Sequence, residues 1–152
     1  MQVKDYLTAE KVPFDTLRHE PTYDAQHMAQ AVHVRGKDVA KSVLLRAGKN
    51  YVLAVLPATH QIDFDAAKRL LKVDRVELAS ELEFNATFPD CEIGALPPFG
   101  SKYGMKTIVD AALARDERIV FEGNTHQESF RIRYADYERL EKPLVGAFAS
   151  HA

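Results

Sequence analysis

Val39-Ala-Lys-Ser-Val-Leu-Leu-Arg46 and Tyr51-Val-Leu-Ala-Val-Leu56, joined by Ala47-Gly-Lys-Asn50, decide the fold. Both runs are rich in β-branched and aliphatic residues, and the turn signal between them predicts a β-hairpin. Working outward, residues 2–11 predict a helix with Val3, Tyr6 and Leu7 on one face. Phe14 to Arg18 suits a short strand. Asp24 suits the cap of a helix carrying Ala25, Met28, Ala29 and Val32, with Gly36 at its end. Beyond the hairpin, Asp63 to Leu71 predicts a helix with Phe64, Ala67, Leu70 and Leu71 inward. Val76 and Leu78 fit a short strand, and Ser80 with Glu83 forms a capping box for another short helix. Lys106 to Ala111, Ile119 to Phe121 and Ser129 to Arg133 read as strands, with a turn at Gly123-Asn124 and a closing helix over Ala135 to Leu140. Strands and helices mix without a regular βαβ rhythm. The expectation is therefore an α+β fold with a mixed, mostly antiparallel, curved sheet.

The chain has 152 residues, a length that suits one domain, 1–152, with a substantial core. Its apolar share of 46% and charged share of 28% are those of a soluble globular protein. No apolar run approaches the roughly 20 residues of a membrane span. The opening Met-Gln-Val-Lys-Asp-Tyr lacks the apolar core of a secretory signal. A single cysteine, Cys91, rules out an internal disulfide framework and fits a reducing cytoplasm. The net charge of −2 argues against non-specific binding to long nucleic acid. Arg35, Lys37, Lys41 and Arg46 still form a local basic run, as do Lys68, Arg69 and Lys72.

Two features invite chemistry. Glu92-Ile-Gly-Ala-Leu-Pro-Pro-Phe-Gly100 cannot be an ordinary helix or central strand, because Pro97 and Pro98 lack backbone N–H groups and bias their predecessors toward extended geometry. One reading is a rigid connection whose Phe99 plugs the core. The other is that Gly94 to Pro98 aims main-chain groups at a ligand, where donors hold a carbonyl or a developing oxyanion. Lys41 is the second feature. Strand alternation places it with Val39, Val43 and Leu45, and a lysine on such a face needs an anion or hydrogen-bond acceptors. A lysine snorkelling from the strand end is the structural alternative. His126 follows a turn, where loops present functional groups. His27 and His33 are six apart and off one helix face, so no metal site is expected. No Gly-x-Ser-x-Gly elbow, phosphate loop or dinucleotide fingerprint is present, and Cys91 has no assigned base.

Four places, in order, resemble the YbaK/ProX family of aminoacyl-tRNA deacylases, relatives of the editing domain of bacterial prolyl-tRNA synthetase. They are His19-Glu-Pro-Thr-Tyr23 with the helix after it, Val39-Ala-Lys-Ser-Val-Leu-Leu45, Gly94-Ala-Leu-Pro-Pro-Phe-Gly100, and Gly123-Asn-Thr-His126 running to Tyr134-Ala-Asp-Tyr137. The resemblance implies a barrel-like mixed sheet flanked by helices. It implies a cytoplasmic hydrolase, free of metal and cofactor, that cleaves the ester joining a wrong amino acid to the terminal adenosine of a tRNA, with tRNA(Pro) the first candidate. Lys41, Gly94 and Pro98 would be catalytic, with a substrate hydroxyl helping to activate water. Ala95, Leu96, Pro97, Phe99, Gly100, Lys102 and His126 would bind substrate. The partners implied are the tRNA acceptor end and, in a second role, an aminoacyl-tRNA synthetase, with no membrane.

This chain departs from the family where Ala95 replaces a second glycine and Pro97 replaces a small polar residue. Those departures raise a competing reading, a non-catalytic module that binds aminoacyl-tRNA or a nucleotide. A further alternative is a hydrolase of another small acyl ester.

Overall fold

The computed structural model describes residues 1–20 and 25–151. The hairpin forms as expected from β2 (Ala40–Ala47) and β3 (Asn50–Pro57), paired from Ala40–Pro57 to Ala47–Asn50 around a two-residue turn. Before it come α1 (Val3–Ala9), β1 (Asp15–Arg18) and α2 (Ala25–Ala31). After it come β4 (His60–Ile62), α3 (Phe64–Leu71), β5 (Val76–Leu78), α4 (Glu81–Thr87), β6 (Lys106–Asp110), α5 (Ala111–Ala114), β7 (Arg118–Glu122), β8 (Glu128–Arg133), α6 (Tyr134–Glu141), β9 (Leu144–Gly146) and β10 (Ala149–His151).

The fold is α+β with mixed sheets. The main sheet runs β5-β2-β3-β6-β9, antiparallel at β5-β2-β3 and parallel at β3-β6-β9. A second sheet, β1-β8-β7, is antiparallel, and β10 pairs with β4. The sheets do not close into a barrel. A single parallel bridge, Val39 to Val120, brings the start of β2 to β7.

Alternation along each strand divides the core. Leu44, Leu53 and Val55 face one way and meet Val3, Leu7, Phe121, Phe130 and Tyr137. Leu45, Val52, Ala54 and Leu56 face the other way, onto Ala67 of α3 and Phe148. A third cluster packs α2, through Met28 and Ala29, on Val39, Ala58 and Val120.

Local signals explain the ends of several elements. Asp63 caps α3 by accepting from Ala66 N, and Ser80 and Glu83 form the expected capping box on α4. One expectation needs correction. Gly36 does not end α2: the helix stops at Ala31, His33 takes a positive φ of 59°, and Gly36 opens a separate 3₁₀ turn over Gly36–Asp38. Asp24, the expected cap of α2, lies outside the described residues. The strands β4, β9 and β10 and the one-turn α5, each three or four residues long, escaped the sequence patterns.

Candidate active site

The proline-containing loop divides into two halves with different physics. Ala95 to Gly100 is buried throughout, whereas Glu92, Ile93 and Gly94 are exposed. Phe99 is fully buried, edge-on to Tyr6 at 5.2 Å and to Phe121 at 5.6 Å. The Pro98 carbonyl accepts a buried hydrogen bond from the Tyr137 hydroxyl at 2.8 Å. Gly100 N donates to Thr107 Oγ1 at 3.0 Å, and Thr107 in turn donates to the buried Glu141 carboxylate at 2.6 Å. The core-plug reading therefore describes the second half. Pro98, Phe99 and Gly100 hold the loop on the core. Ala95 and Pro97 lie buried beneath the exposed tip, and Leu96 is 5% exposed.

The exposed half is a tight turn. Ala95 N donates to Glu92 O at 3.0 Å, and Gly94 has φ +84°. These are the marks of a type II turn, whose third position needs positive φ and so takes glycine. The turn is clamped from below. Asn124 O accepts from Glu92 N at 2.8 Å, and Asn124 N donates to Ala95 O at 3.1 Å. Asn124 itself has φ +71°, a conformation asparagine tolerates better than most residues. Its side chain accepts from Val3 N and donates to the Met1 carbonyl. Gly123 before it packs so closely on the Phe130 ring that a Cβ there would overlap the ring.

His126 completes the clamp. Its Nε2 lies 2.5 Å from the Ile93 carbonyl, and its Nδ1 lies 2.7 Å from Oε2 of Glu122, at the end of β7. A carbonyl can only accept, so Nε2 carries a hydrogen. Glu122 is 6% exposed, and its contact with His126 is electrostatic rather than a well-aligned hydrogen bond. Trans peptides point C=O and N–H in opposite directions. With the Ile93 carbonyl turned to His126, the Gly94 N–H points away from it, and among the described residues it meets no acceptor.

Lys41 is half-buried on β2, and its ammonium donates to the Ala58 carbonyl at 3.4 Å. The same carbonyl accepts from Gln26 of α2 at 3.0 Å. From the Val39–Val120 bridge, Lys41 lies two residues along β2 and Glu122 two along β7, so each follows its bridged residue on the same strand face. Lys41 and Glu122 thus project from one face where β2 meets β7. Lys102 is elsewhere, 4.4 Å from the centre of the Tyr6 ring.

Two nucleophile possibilities recede. Burial foremost pushes the Cys91 thiol up to about 11, so it holds little thiolate near neutral pH. His19 Nε2 lies 2.8 Å from Ser129 Oγ, but Ser129 is fully buried and out of reach of substrate. Among the described residues no group of three His, Cys, Asp or Glu side chains is placed to hold a metal ion, and no helix is long and apolar enough to cross a membrane.

A family model described as the aminoacyl-tRNA editing domain matches residues 19–140, most of the chain, and spans Lys41, the turn and His126. The chain belongs to the aminoacyl-tRNA editing domain family. Solved structures agree on the fold. A candidate trans-editing enzyme for prolyl-tRNA synthetase is similar at 21% identity and TM-score 0.80, over 90% of this chain and 87% of that one. A hypothetical protein is similar at 16% identity and TM-score 0.89, over 99% of this chain and 100% of that one. A scaffold protein used for computational epitope grafting is similar at 20% identity and TM-score 0.85, over 99% and 96%. No curated protein matches.

Glu122 was missed by sequence reasoning. Its signal was present, since Arg118-Ile-Val-Phe-Glu122 ends an otherwise apolar strand with an acid on the face of Val120. Only the turn geometry pairs that acid with His126.

Proposed function

We propose that this editing-domain protein is a freestanding trans-editing hydrolase that cleaves the ester between a wrongly attached amino acid and the acceptor end of a tRNA. The observation that carries the reading is the Gly94 N–H, exposed and unbonded at the tip of a turn held by Asn124 and His126. An ester is already activated, so a fixed donor for the developing oxyanion, together with positioning, can supply much of the rate gain. In this reading Gly94 is the oxyanion donor. His126 and Glu122 are positioning residues that fix the direction of the Ile93–Gly94 peptide. Lys41, half-buried beside the Ala58 carbonyl, engages phosphate or ribose oxygens of the acceptor end. A hydroxyl of the substrate assists the attacking water, and the scheme calls on no metal. Residues 1–152 act as one domain in the cytoplasm, with a synthetase as the source of substrate.

The competing binding-module reading drew on Ala95 and Pro97. Both are buried supports of the turn, which favours the hydrolase. The test is incubation of the purified protein with alanyl-, cysteinyl- and seryl-tRNA(Pro) and other mischarged tRNAs. Release of at least one amino acid, strongly reduced in Lys41→Ala, is expected. Release of none, or full activity in Lys41→Ala, refutes the proposal.

A further inference from the structure

A groove of about 320 Å³ runs along the edge of β2 and ends at the Ile93–Gly94 turn, with neither Lys41 nor His126 in its walls. That volume is at the lower end of small-molecule sites, which span roughly 300–1,000 Å³. Its chemistry follows from strand geometry. The two-residue hairpin turn directs the main-chain groups of Lys41, Val43, Leu45 and Ala47 to β3. Those of Ser42, Leu44 and Arg46 therefore face the opposite edge. There Leu44 O accepts from Ala79 N at 3.1 Å, and Arg46 is registered against Glu77 of β5.

β5 ends at Leu78, and β7 meets β2 back at Val39. On that edge Ser42 N–H and C=O lie in the interval between, outside both the β5 ladder and the β7 bridge. The Ser42 hydroxyl is also buried without a hydrogen-bond partner. One residue thus offers an adjacent donor and acceptor to whatever enters the groove.

The walls are apolar, made by Leu44, Phe84 and Leu96, with Leu78 (59% exposed) and Ile93 (52% exposed) at the rim. The single ionisable residue of the lining is Glu81, and no Lys, Arg or His contributes. A phosphate finds no counter-charge here. A flat, uncharged ring with a donor and an acceptor side by side on one edge fits instead. Adenine has that edge, with its N6 amino group beside a ring nitrogen acceptor. Apolar side chains also suit contact with its faces.

We infer that this groove holds the terminal adenine base of the acceptor end, with Ser42 N–H and C=O pairing its donor–acceptor edge between Leu78 and Ile93. The inference rests on the proposed editing function and deepens it, because a base seated here brings its ribose ester toward the Gly94 N–H.

The test uses 3′-deoxy-3′-(alanylamino)adenosine, an amide in place of the labile ester, titrated into ¹⁵N-labelled protein beside its purine-riboside counterpart. Purine riboside lacks the 6-amino group and so leaves the Ser42 carbonyl without its donor. Shifts are expected at the amides of Ser42, Val43, Leu44, Leu78, Ala79 and Gly94. The purine riboside should bind roughly tenfold more weakly, about the effect of one lost hydrogen bond. Leu78→Asp should weaken adenosine binding with the remaining spectrum unchanged. Shifts elsewhere, equal affinity for the purine riboside, or the same groove shifts with alaninamide alone would each overturn the inference. The two proposals fail separately. Adenosine-selective binding in the groove without hydrolysis of any mischarged tRNA removes the hydrolase reading alone. Hydrolysis that ignores the terminal base removes the groove assignment alone.

Discussion

Gly94→Ala separates the two roles of the proline loop. A Cβ on Gly94 would lie 3.5 Å from His126 Cε1 and 3.7 Å from Nε2, which is ordinary contact. No steric clash opposes the substitution, so its cost lies in the backbone. An L-residue at φ +84° costs about 1–2 kcal/mol. The reduced freedom of the unfolded chain returns roughly 0.4–1 kcal/mol of that. The turn can also escape the strain by flipping its central peptide toward a type I turn, in which the third position has negative φ. That flip swings the Ile93 carbonyl off His126 and reverses the Gly94 N–H. The expected variant is therefore folded, less stable by about 1 kcal/mol, and slower in deacylation by roughly 10²–10³, the effect of removing one oxyanion donor. Urea denaturation and single-turnover release from a mischarged tRNA measure the two quantities. Gly94→Asn, which tolerates positive φ better, should retain more activity than Gly94→Ala at similar stability. Wild-type turnover in Gly94→Ala refutes the role of the N–H. A stability loss above about 4 kcal/mol refutes the argument that the site is sterically open.

Phe99→Ala should cost roughly 3–5 kcal/mol in denaturant unfolding, since the ring is fully buried among Tyr6, Phe121 and Tyr137; a loss below about 1 kcal/mol contradicts the plug assignment. Glu83 is held down to about 2, foremost by the Ser80 backbone N–H and then by the Tyr51 hydroxyl. A depressed carboxyl stabilises the fold above its unfolded value and loses that effect as pH falls. The Tm deficit of Glu83→Gln should therefore shrink as pH drops from about 5 toward about 2, and a constant deficit argues against it. Burial foremost, with Asp38 beside it, pushes the Asp116 carboxyl up to about 6. A raised carboxyl makes the folded state bind the proton more tightly, so stability falls as pH rises from about 4 to about 6. Asp116→Asn should raise Tm more at pH 7 than at pH 4, and the opposite order overturns the assignment.

The elements long enough to carry a period were legible. The hairpin, α3 with its Asp63 cap and α4 with its capping box lie where their residues predict them. The loop was legible as non-regular backbone, but not as two halves. Nothing in Gly94-Ala-Leu-Pro-Pro-Phe-Gly100 says that Gly94 is exposed while Pro98 gives its carbonyl to Tyr137, 39 residues later. Pairings of that range depend on which elements pack together, and a local pattern does not encode them. The same holds for Lys102, which reads as a loop cation near the site and instead lies over Tyr6. Glu122 and Ser42 were overlooked for a related reason. Glu122 takes its meaning from His126 and Ser42 from the gap between β5 and β7, which only the assembled structure reveals.

The gap beside Ser42 explains why the groove lies where it does. β2 is bonded along its whole length to β3, so its other edge decides what reaches the site. β5 covers that edge from Leu45 onward, and β7 touches it at Val39. A continuous strand over the interval would satisfy Ser42 and bury the turn, leaving a more stable sheet without a site. Alternation then gives the interval two chemically different sides. Lys41, next to the Ala58 carbonyl, serves one, and Ser42, on the apolar groove, serves the other. The Ile93–Gly94 peptide lies where the sides meet, with its carbonyl committed to His126 and its N–H directed away. In the proposed mechanism, fixing that one peptide orients the oxyanion donor, so the residues that pin it, Asn124 and His126, should control turnover more strongly than residues that only line the groove.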